Sequence, residues 1–322
     1  MNILFKCDQS NHIGSGHYYR CLALADVFKK KNHKCFFLGL KPGITKKNKI
    51  SKNDEDDDLK FTQRFIKRNK IQLLIKDIYS LGYNWESIIS KKNYLVVIGD
   101  YKDTKHYCNL YINYHFKWFE KKNYKFLLYN KCIKLIGPKY SIVRNINIKK
   151  KLKFKKKTIF IYMGGADKYM YMIKLANLLK NKKLNNIKKI FLLNNNHLKN
   201  HVFMKSLNKM VNIKILKNKT KNFHHYLASS NLSISPAGVT MLEQVALKSN
   251  SLIIAQNEMQ KKTAITLHKA NAINFVNNIN SLNYKKIFQF LNYRNPKKKL
   301  INLQGKNLIY KKIISNYYKF TL

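Results

Sequence analysis

An apolar run near the amino terminus, Asn2-Ile3-Leu4-Phe5, gives way to Lys6-Cys7-Asp8-Gln9-Ser10-Asn11-His12-Ile13-Gly14-Ser15-Gly16-His17. A helical pattern follows, with Cys21, Leu22, Leu24, Ala25, Val27 and Phe28 on one face. Strand, glycine turn and helix in that order commit a chain to an α/β sheet, and the turn falls at the carboxyl edge where such sheets hold ligands. Gly14 and Gly16 let the main chain bend tightly and approach a substrate without a Cβ in the way. His17 falls in the first turn of the predicted helix, where the positive end of the dipole disfavours imidazolium and leaves a neutral ring able to take a proton. The motif is not the dinucleotide fingerprint, because Tyr19 holds the third glycine position. Nor is it a P-loop, because no Lys-Ser or Lys-Thr follows Gly16. On these residues alone, a glycine pair that only makes the turn and a histidine that only caps or packs fit equally well.

With 322 residues the chain has room for one large domain or two of ordinary size. The strand–helix rhythm begins twice. In the first half, residues 34–38, 71–77 and 93–98 read as strands. The run 71–77 ends in Asp77, with Tyr79 two residues on, so both face the sheet's carboxyl edge or, equally, Asp77 caps the next turn. The acidic run 53–58 reads as a solvated helix start, with acids favoured at the positive end, rather than as a metal–nucleotide site after a buried strand. Residues 149–157 are basic and poor in apolar side chains, which fits a solvated linker better than a phosphate site. The domains expected are therefore 1–148 and 158–322.

The second half restarts at 158–163, a buried strand followed by Gly164, Gly165 and Asp167. Two glycines there let main-chain N–H groups reach a phosphate or a reacting sugar. A later strand, 231–235, leads into Pro236-Ala237-Gly238 and a helix starting at about Val239. Its unpaired amides and the Thr240 hydroxyl can take a diphosphate without a metal, and Glu243, one turn on, can accept ribose hydroxyls. The alternative is an ordinary βα turn with a solvent-facing glutamate. His224 and His225 have no partners at metal spacing and read as surface residues.

The formal charge of +49 raises nucleic acid or an anionic membrane as partner, which would make the chain a basic binding protein. Against that, the lysines are spread over the whole chain among Asn, Ile and Tyr, all residues of AT-rich codons, and no arginine stripe or RNA-binding pattern occurs. Neither nucleic acid nor membrane is expected as a partner. A basic cleft would still steer a nucleotide diphosphate inward. Five cysteines without paired spacing suggest neither zinc nor a disulfide framework, and three of them fall in predicted core elements as small apolar residues. The amino-terminal apolar run is too short for a signal peptide, so the expected location is the cytoplasm.

Asp8, Ser10, the run Ile13-Gly14-Ser15-Gly16-His17 and Arg20-Cys21-Leu22-Ala23-Leu24-Ala25 resemble the opening of the UDP-sugar hydrolases of pseudaminic acid biosynthesis. These are small relatives of the lipid-II-forming glycosyltransferase. Met163-Gly164-Gly165-Ala166-Asp167 and Gly238-Val239-Thr240 with Glu243 are similar to the same family, as are Asp77-Ile78-Tyr79 and Gln260. The resemblance extends over about residues 1–290. It implies a GT-B-like α/β fold, two Rossmann-like domains facing across a cleft. It also implies removal of UDP from UDP-2,4-diacetamido-2,4,6-trideoxy-β-L-altropyranose, with water as acceptor, inversion at the anomeric centre, and no cofactor or metal. His17 is the catalytic residue in this reading. Asp8, Gly14, Gly16, Arg20, Asp77, Tyr79, Gly164, Gly165, Asp167 and Gln260 touch the sugar side, and Gly238, Val239, Thr240 and Glu243 hold UDP. Gly99 stands where the family has the first of two acids, and Met259 where it has an asparagine that Asn257 replaces. The same nucleotide motifs would serve a GT-B glycosyltransferase with a UDP-sugar donor.

Overall fold

The computed structural model describes residues 1–7, 16–44, 50–99, 104–114, 131–148, 150–165, 167, 170–217, 220, 222–293 and 300–321. The chain divides into two compact units, Met1–Arg144 with Asn302–Leu322, and Asn145–Ile301. In the first unit β1 (Asn2–Cys7), β2 (Lys34–Leu38), β3 (Leu73–Asp77), β4 (Tyr94–Ile98), β5 (Leu110–Asn113) and β6 (Ile133–Ile136) alternate with α1 (Gly16–Lys29), α2 (Lys52–Arg68) and α3 (Tyr83–Ser90). The strands are parallel and run β2-β1-β3-β4-β5-β6.

The second unit opens with β7 (Thr158–Ile161), α4 (Tyr171–Leu179), β8 (Lys188–Leu193), α5 (Asn195–Lys199), α6 (His201–Asn208) and β9 (Ile213–Lys217). It continues with α7 (Phe223–Ser229), β10 (Leu232–Pro236), α8 (Val239–Ala246), β11 (Ser251–Ile254), α9 (Glu258–Lys269), β12 (Asn274–Val276) and α10 (Tyr284–Asn292). Its parallel order is β12-β11-β10-β7-β8-β9. Each sheet is wound outward in both directions from its first strand. The order therefore reverses between β1 and β3 in one unit and between β7 and β10 in the other, which opens a crevice at each carboxyl edge.

Central strands such as Leu73–Asp77 and Tyr94–Ile98 bury every residue, as parallel strands covered on both faces must. The edge strands β2, β6 and β9 are half-exposed and carry Lys34, Lys134 and Lys214 outward. A lysine on an edge blocks pairing with another chain, so part of the basic excess has structural use.

Alternation along β1 and β3 sorts charge by face. Lys6 and Lys76 are register partners, both buried. Lys6 Nζ lies 2.9 Å from Asp58 of α2, and Lys76 Nζ lies 2.7 Å from Glu86 of α3. Phe5, pointing the other way, meets Phe28 of α1 edge-on at 6.2 Å. The acidic run is a largely solvated helix start, as expected, except at Asp58. It starts a helix, with Ser51 capping the Asp54 amide, but Asp58 is buried and accepts from Lys6, the Lys41 amide and Thr62. A buried lysine needs a paired carboxylate, and that need outweighs solvation.

Two boundaries also differ from the expected domains. The carboxy-terminal helix α11 (Gly305–Thr321) belongs to the first unit, not to a continuous 158–322 domain. Phe28 packs on Tyr310 at 5.0 Å, Tyr94 on Tyr317 at 5.8 Å, and Lys306 donates to the Val143 carbonyl at 3.0 Å. The basic run is not a free linker where it is described. The Leu152 amide donates to Ser229 at 2.8 Å, and Phe154 stacks on Tyr226 at 6.5 Å. Its alternate apolar residues were too few to register as a pattern. Among the described residues, no helix is long and apolar enough to cross a membrane.

At Gly305 α11 lies tight against the chain it covers, and an added Cβ would collide with the Ser141 backbone. Gly305→Ala is therefore expected to lower unfolding free energy by about 1–3 kcal/mol, the usual cost of overpacking. Urea denaturation checks this, and a variant as stable as the parent would show that α11 is not held there.

Candidate active site

At the first crevice, α1 opens with Gly16 and carries His17 and Arg20 on neighbouring turns, facing the end of β3. His17 Nδ1 is 2.7 Å from Asp77 Oδ1. Arg20 donates to both Asp77 oxygens, from Nε and from a terminal nitrogen, and its other terminal nitrogen donates to the Tyr114 hydroxyl at 3.0 Å. Cys21 Sγ donates to Asp77 at 3.5 Å, and Tyr79 sets its ring edge-on to His17 at 4.4 Å. Asp77 is 1% exposed and Arg20 5%, so the ion pair is closed off from water.

Burial alone would raise the Asp77 pKa, but Arg20 and then His17 outweigh it and hold the carboxyl well below the usual carboxylate range. Burial likewise pulls the Arg20 guanidinium down, and Asp77 more than restores it. An ionised Asp77 can only accept, so the proton between it and His17 belongs to Nδ1. If Nδ1 instead accepted from the Arg20 nitrogen 3.0 Å away, its lone pair would face Asp77 Oδ1 at 2.7 Å with no proton between them. The Nδ1–H tautomer leaves a lone pair on Nε2, the arrangement of a general base oriented by a carboxylate.

Of the residues expected here, the structure brings together His17, Arg20, Asp77 and Tyr79, with Gly16 opening the helix. Asp8 and Gly14 lie outside the described residues. Tyr114 and Cys21 join the site unforeseen. Tyr114 follows a strand as any core aromatic would, and Cys21 reads as an apolar helix residue. At Gly99 an added Cβ would collide with the Tyr111 phenol, so an aromatic fills the place of the expected acid. His106 turns to Glu86 at 2.9 Å, and Asn113 donates to Tyr111 at 3.2 Å.

In the second unit, the turns after β7, β10 and β11 meet at the other crevice. Gly164 has φ +80°, a conformation that favours glycine, and its absent Cβ would touch Pro236 at 3.5 Å. Gln256 donates to the Met163 carbonyl at 3.2 Å. Gly238 is the N-cap of α8 and supplies no side chain to its first amides. A Cβ there would meet nothing within 4 Å, so the glycine keeps open space clear. Val239 and Thr240 form the first turn, and Gln244 locks α8 to β10 by bonds with Ser233 at 2.8 Å and Ser235 at 2.6 Å.

Three expectations change in this unit. Asp167 does not face a ligand. Its two oxygens accept the Tyr171 and Met172 amides at 2.9 Å and His197 Nε2 at 2.8 Å, while Asn194 holds the Gly164 and Gly165 carbonyls. The start of α4 leaves unpaired amides, and a short acid beside them caps the helix before it can serve a substrate. Gln260 Oε1 accepts the Gln256 amide at 2.9 Å, and Asn257 is the N-cap of α9, so both atoms serve the loop. His224 is no surface residue, because its Nε2 lies 3.4 Å from Glu243 Oε1 and the Glu243 side chain is fully buried. Glu243 is therefore not the solvent-facing glutamate of an ordinary turn.

No protein-family model matches the chain. It is 27% identical over 273 residues to the UDP-2,4-diacetamido-2,4,6-trideoxy-beta-L-altropyranose hydrolase of Campylobacter jejuni, covering 84% of this chain and 97% of the relative. In structure it is similar to MurG of Acinetobacter baumannii, with a TM-score of 0.66 at 11% identity, covering 98% of this chain and 99% of that one. It is also similar to the UDP-GlcNAc 2-epimerase of Neisseria meningitidis, solved bound to UDP-GlcNAc. There the TM-score is 0.65 at 12% identity, over 98% and 100% of the two chains. The fold is thus GT-B-like.

Since the folded pKa of Asp77 lies below its unfolded value of about 3.9, its contribution to stability is whole above that pH. It is lost as pH falls through the folded value. Asp77→Asn leaves Arg20 buried without its counter-charge and is expected to cost about 3–5 kcal/mol at pH 7. Denaturant titrations at several pH values should show the gap to the parent narrowing below about pH 4. A gap unchanged down to pH 3 would mean that folding does not lower the Asp77 pKa.

Proposed function

We propose that the protein hydrolyses a UDP-sugar, UDP-2,4-diacetamido-2,4,6-trideoxy-β-L-altropyranose, to the free sugar and UDP. The observation that carries the reading is the His17–Asp77 pair, a histidine on a glycine turn oriented by a buried carboxylate. The hydrolase from Campylobacter supports the choice of substrate, since the similarity covers nearly all of that protein.

In the proposed step, His17 Nε2 takes a proton from water as the water oxygen bonds to the anomeric carbon. The bond from that carbon to the diphosphate oxygen breaks, UDP leaves with the electron pair, and the anomeric configuration inverts. Asp77 holds the Nδ1 tautomer and steadies the imidazolium as it forms, and Arg20 keeps Asp77 ionised and in place. Tyr79 fixes the ring edge. The amides of Val239 and Thr240, with the Thr240 hydroxyl, stabilise the departing diphosphate, and Glu243 receives the ribose hydroxyls. No divalent ion is assigned to the step. The product would enter nonulosonate synthesis.

Incubating purified protein with the diacetamido UDP-sugar, chelator and no acceptor should release UDP. His17→Ala should cut kcat by about 10²–10⁴-fold while UDP still binds. A fully active His17→Ala protein would overturn the role of His17, and loss of activity with chelator would overturn metal independence. Release that requires an added acceptor would make the protein a glycosyltransferase.

A further inference from the structure

We infer that His224 is a second ribose-recognising residue, its Nε2 acting with the Glu243 carboxylate on the vicinal hydroxyls of a ribonucleoside diphosphate. The inference rests on the nucleotide reading of α8 given above.

Helix α7 packs on α8 and sets His224 Nε2 3.4 Å from Glu243 Oε1. The pair is close enough for attraction but misaligned for a hydrogen bond, so among the described residues Nε2 is buried with no hydrogen-bond partner. A buried ring nitrogen left in that state costs free energy, and a packing histidine normally avoids it. His197 in the same unit shows how. Its Nδ1 accepts the Asn194 amide at 3.3 Å and its Nε2 meets Asp167 at 2.8 Å, so both nitrogens are used. His224 keeps Nε2 out of water as a core histidine does, but without a bond to it.

The chemistry of the two groups defines what could bridge them. A carboxylate only accepts, whereas a hydroxyl both donates and accepts. A sugar hydroxyl can donate to Glu243 Oε1 while accepting from Nε2–H. The present separation leaves no room for an oxygen between them, so the ring must turn aside as the hydroxyl enters. His224 is the member of the pair able to do so, with 16% of its side chain exposed against none for Glu243. The neutral helix amides hold the diphosphate whatever sugar follows it. The pair adds a preference for ribose hydroxyls.

Calorimetric titration of the full-length protein with UDP and with 2′,3′-dideoxy-UDP tests the inference. His224→Ala should weaken UDP about tenfold, the worth of one good hydrogen bond, and leave the dideoxy nucleotide unchanged. His224→Gln, whose amide N–H reaches a similar place, should recover most of the loss, and His225→Ala should change neither. Equal weakening of both nucleotides by His224→Ala would reveal a packing role only and overturn the inference, as would no weakening of UDP. If the parent protein binds UDP and the dideoxy nucleotide equally, the ribose contact fails while the diphosphate reading stands. If the parent binds neither, the nucleotide reading itself falls, and this one with it.

Discussion

A carboxylate wholly out of water has to be neutralised, and at Asp77 the counter-charge, Arg20, and a second donor, His17, both come from α1. They stand three residues apart, so one helical face presents both to the same acid. The end of β3 is thereby tied to the start of α1 across the point where strand order reverses. Arg20 balances the Asp77 charge, which frees His17 from having to carry one. The histidine can then be held by a strong charge-assisted bond and still keep its other nitrogen for chemistry. A less buried acid would let the ring wander, and an acid without Arg20 would be too costly to keep ionised.

The opposite face of the same two strands uses the same rule for a structural end. Lys6 and Lys76 lie side by side under α2 and α3, and each has its own carboxylate. In a chain with 15 acidic residues against 64 basic ones, placing Asp58 and Glu86 there is a strong commitment. Burial would raise the Glu86 pKa, and Lys76 with His106 brings it below the ordinary range. Neighbouring residues of one strand, Lys76 and Asp77, thus send opposite charges to opposite faces. The alternation of the strand keeps the structural pair from competing with the site.

The elements were legible in the sequence wherever a periodic apolar run carried them, and the fold class followed from strands that alternate with helices. That His17, Asp77 and Tyr79 lie at a carboxyl edge was legible because they follow a glycine turn or a strand end, whereas Arg20 entered only through the family resemblance. What stayed hidden depended on contacts between distant residues. Asp167 looks like a ligand from its glycine neighbours, yet it caps α4 and also pairs with His197, thirty residues away. Tyr111 gives no sign that it fills the place beside Gly99, and nothing in residues 302–321 tells that helix to return to the first unit. The His224–Glu243 contact has no local pattern at all. Side-chain pairing across elements is a property of packing, and periodicity reports only which face is covered.

The two crevices also differ in how they handle charge, and that bears on the excess of lysine. The first is built from ionised groups whose positions are fixed by one another. In the second, Asp167 is turned inward to cap α4, and Gly238 leaves helix amides at the edge without a capping side chain. Fixed dipoles suit a group whose negative charge grows as a bond breaks, because they need no reorganisation and carry no tightly held water. A lysine there would hold the nucleotide before and after the step almost equally, which strengthens binding without speeding departure. The charge that dominates the composition lies on exposed faces and sheet edges, where it keeps chains apart and steers anions over a distance set by salt. Chemistry at both crevices is therefore expected to depend on a few buried, balanced groups, and the +49 of the whole chain forms the field in which they work.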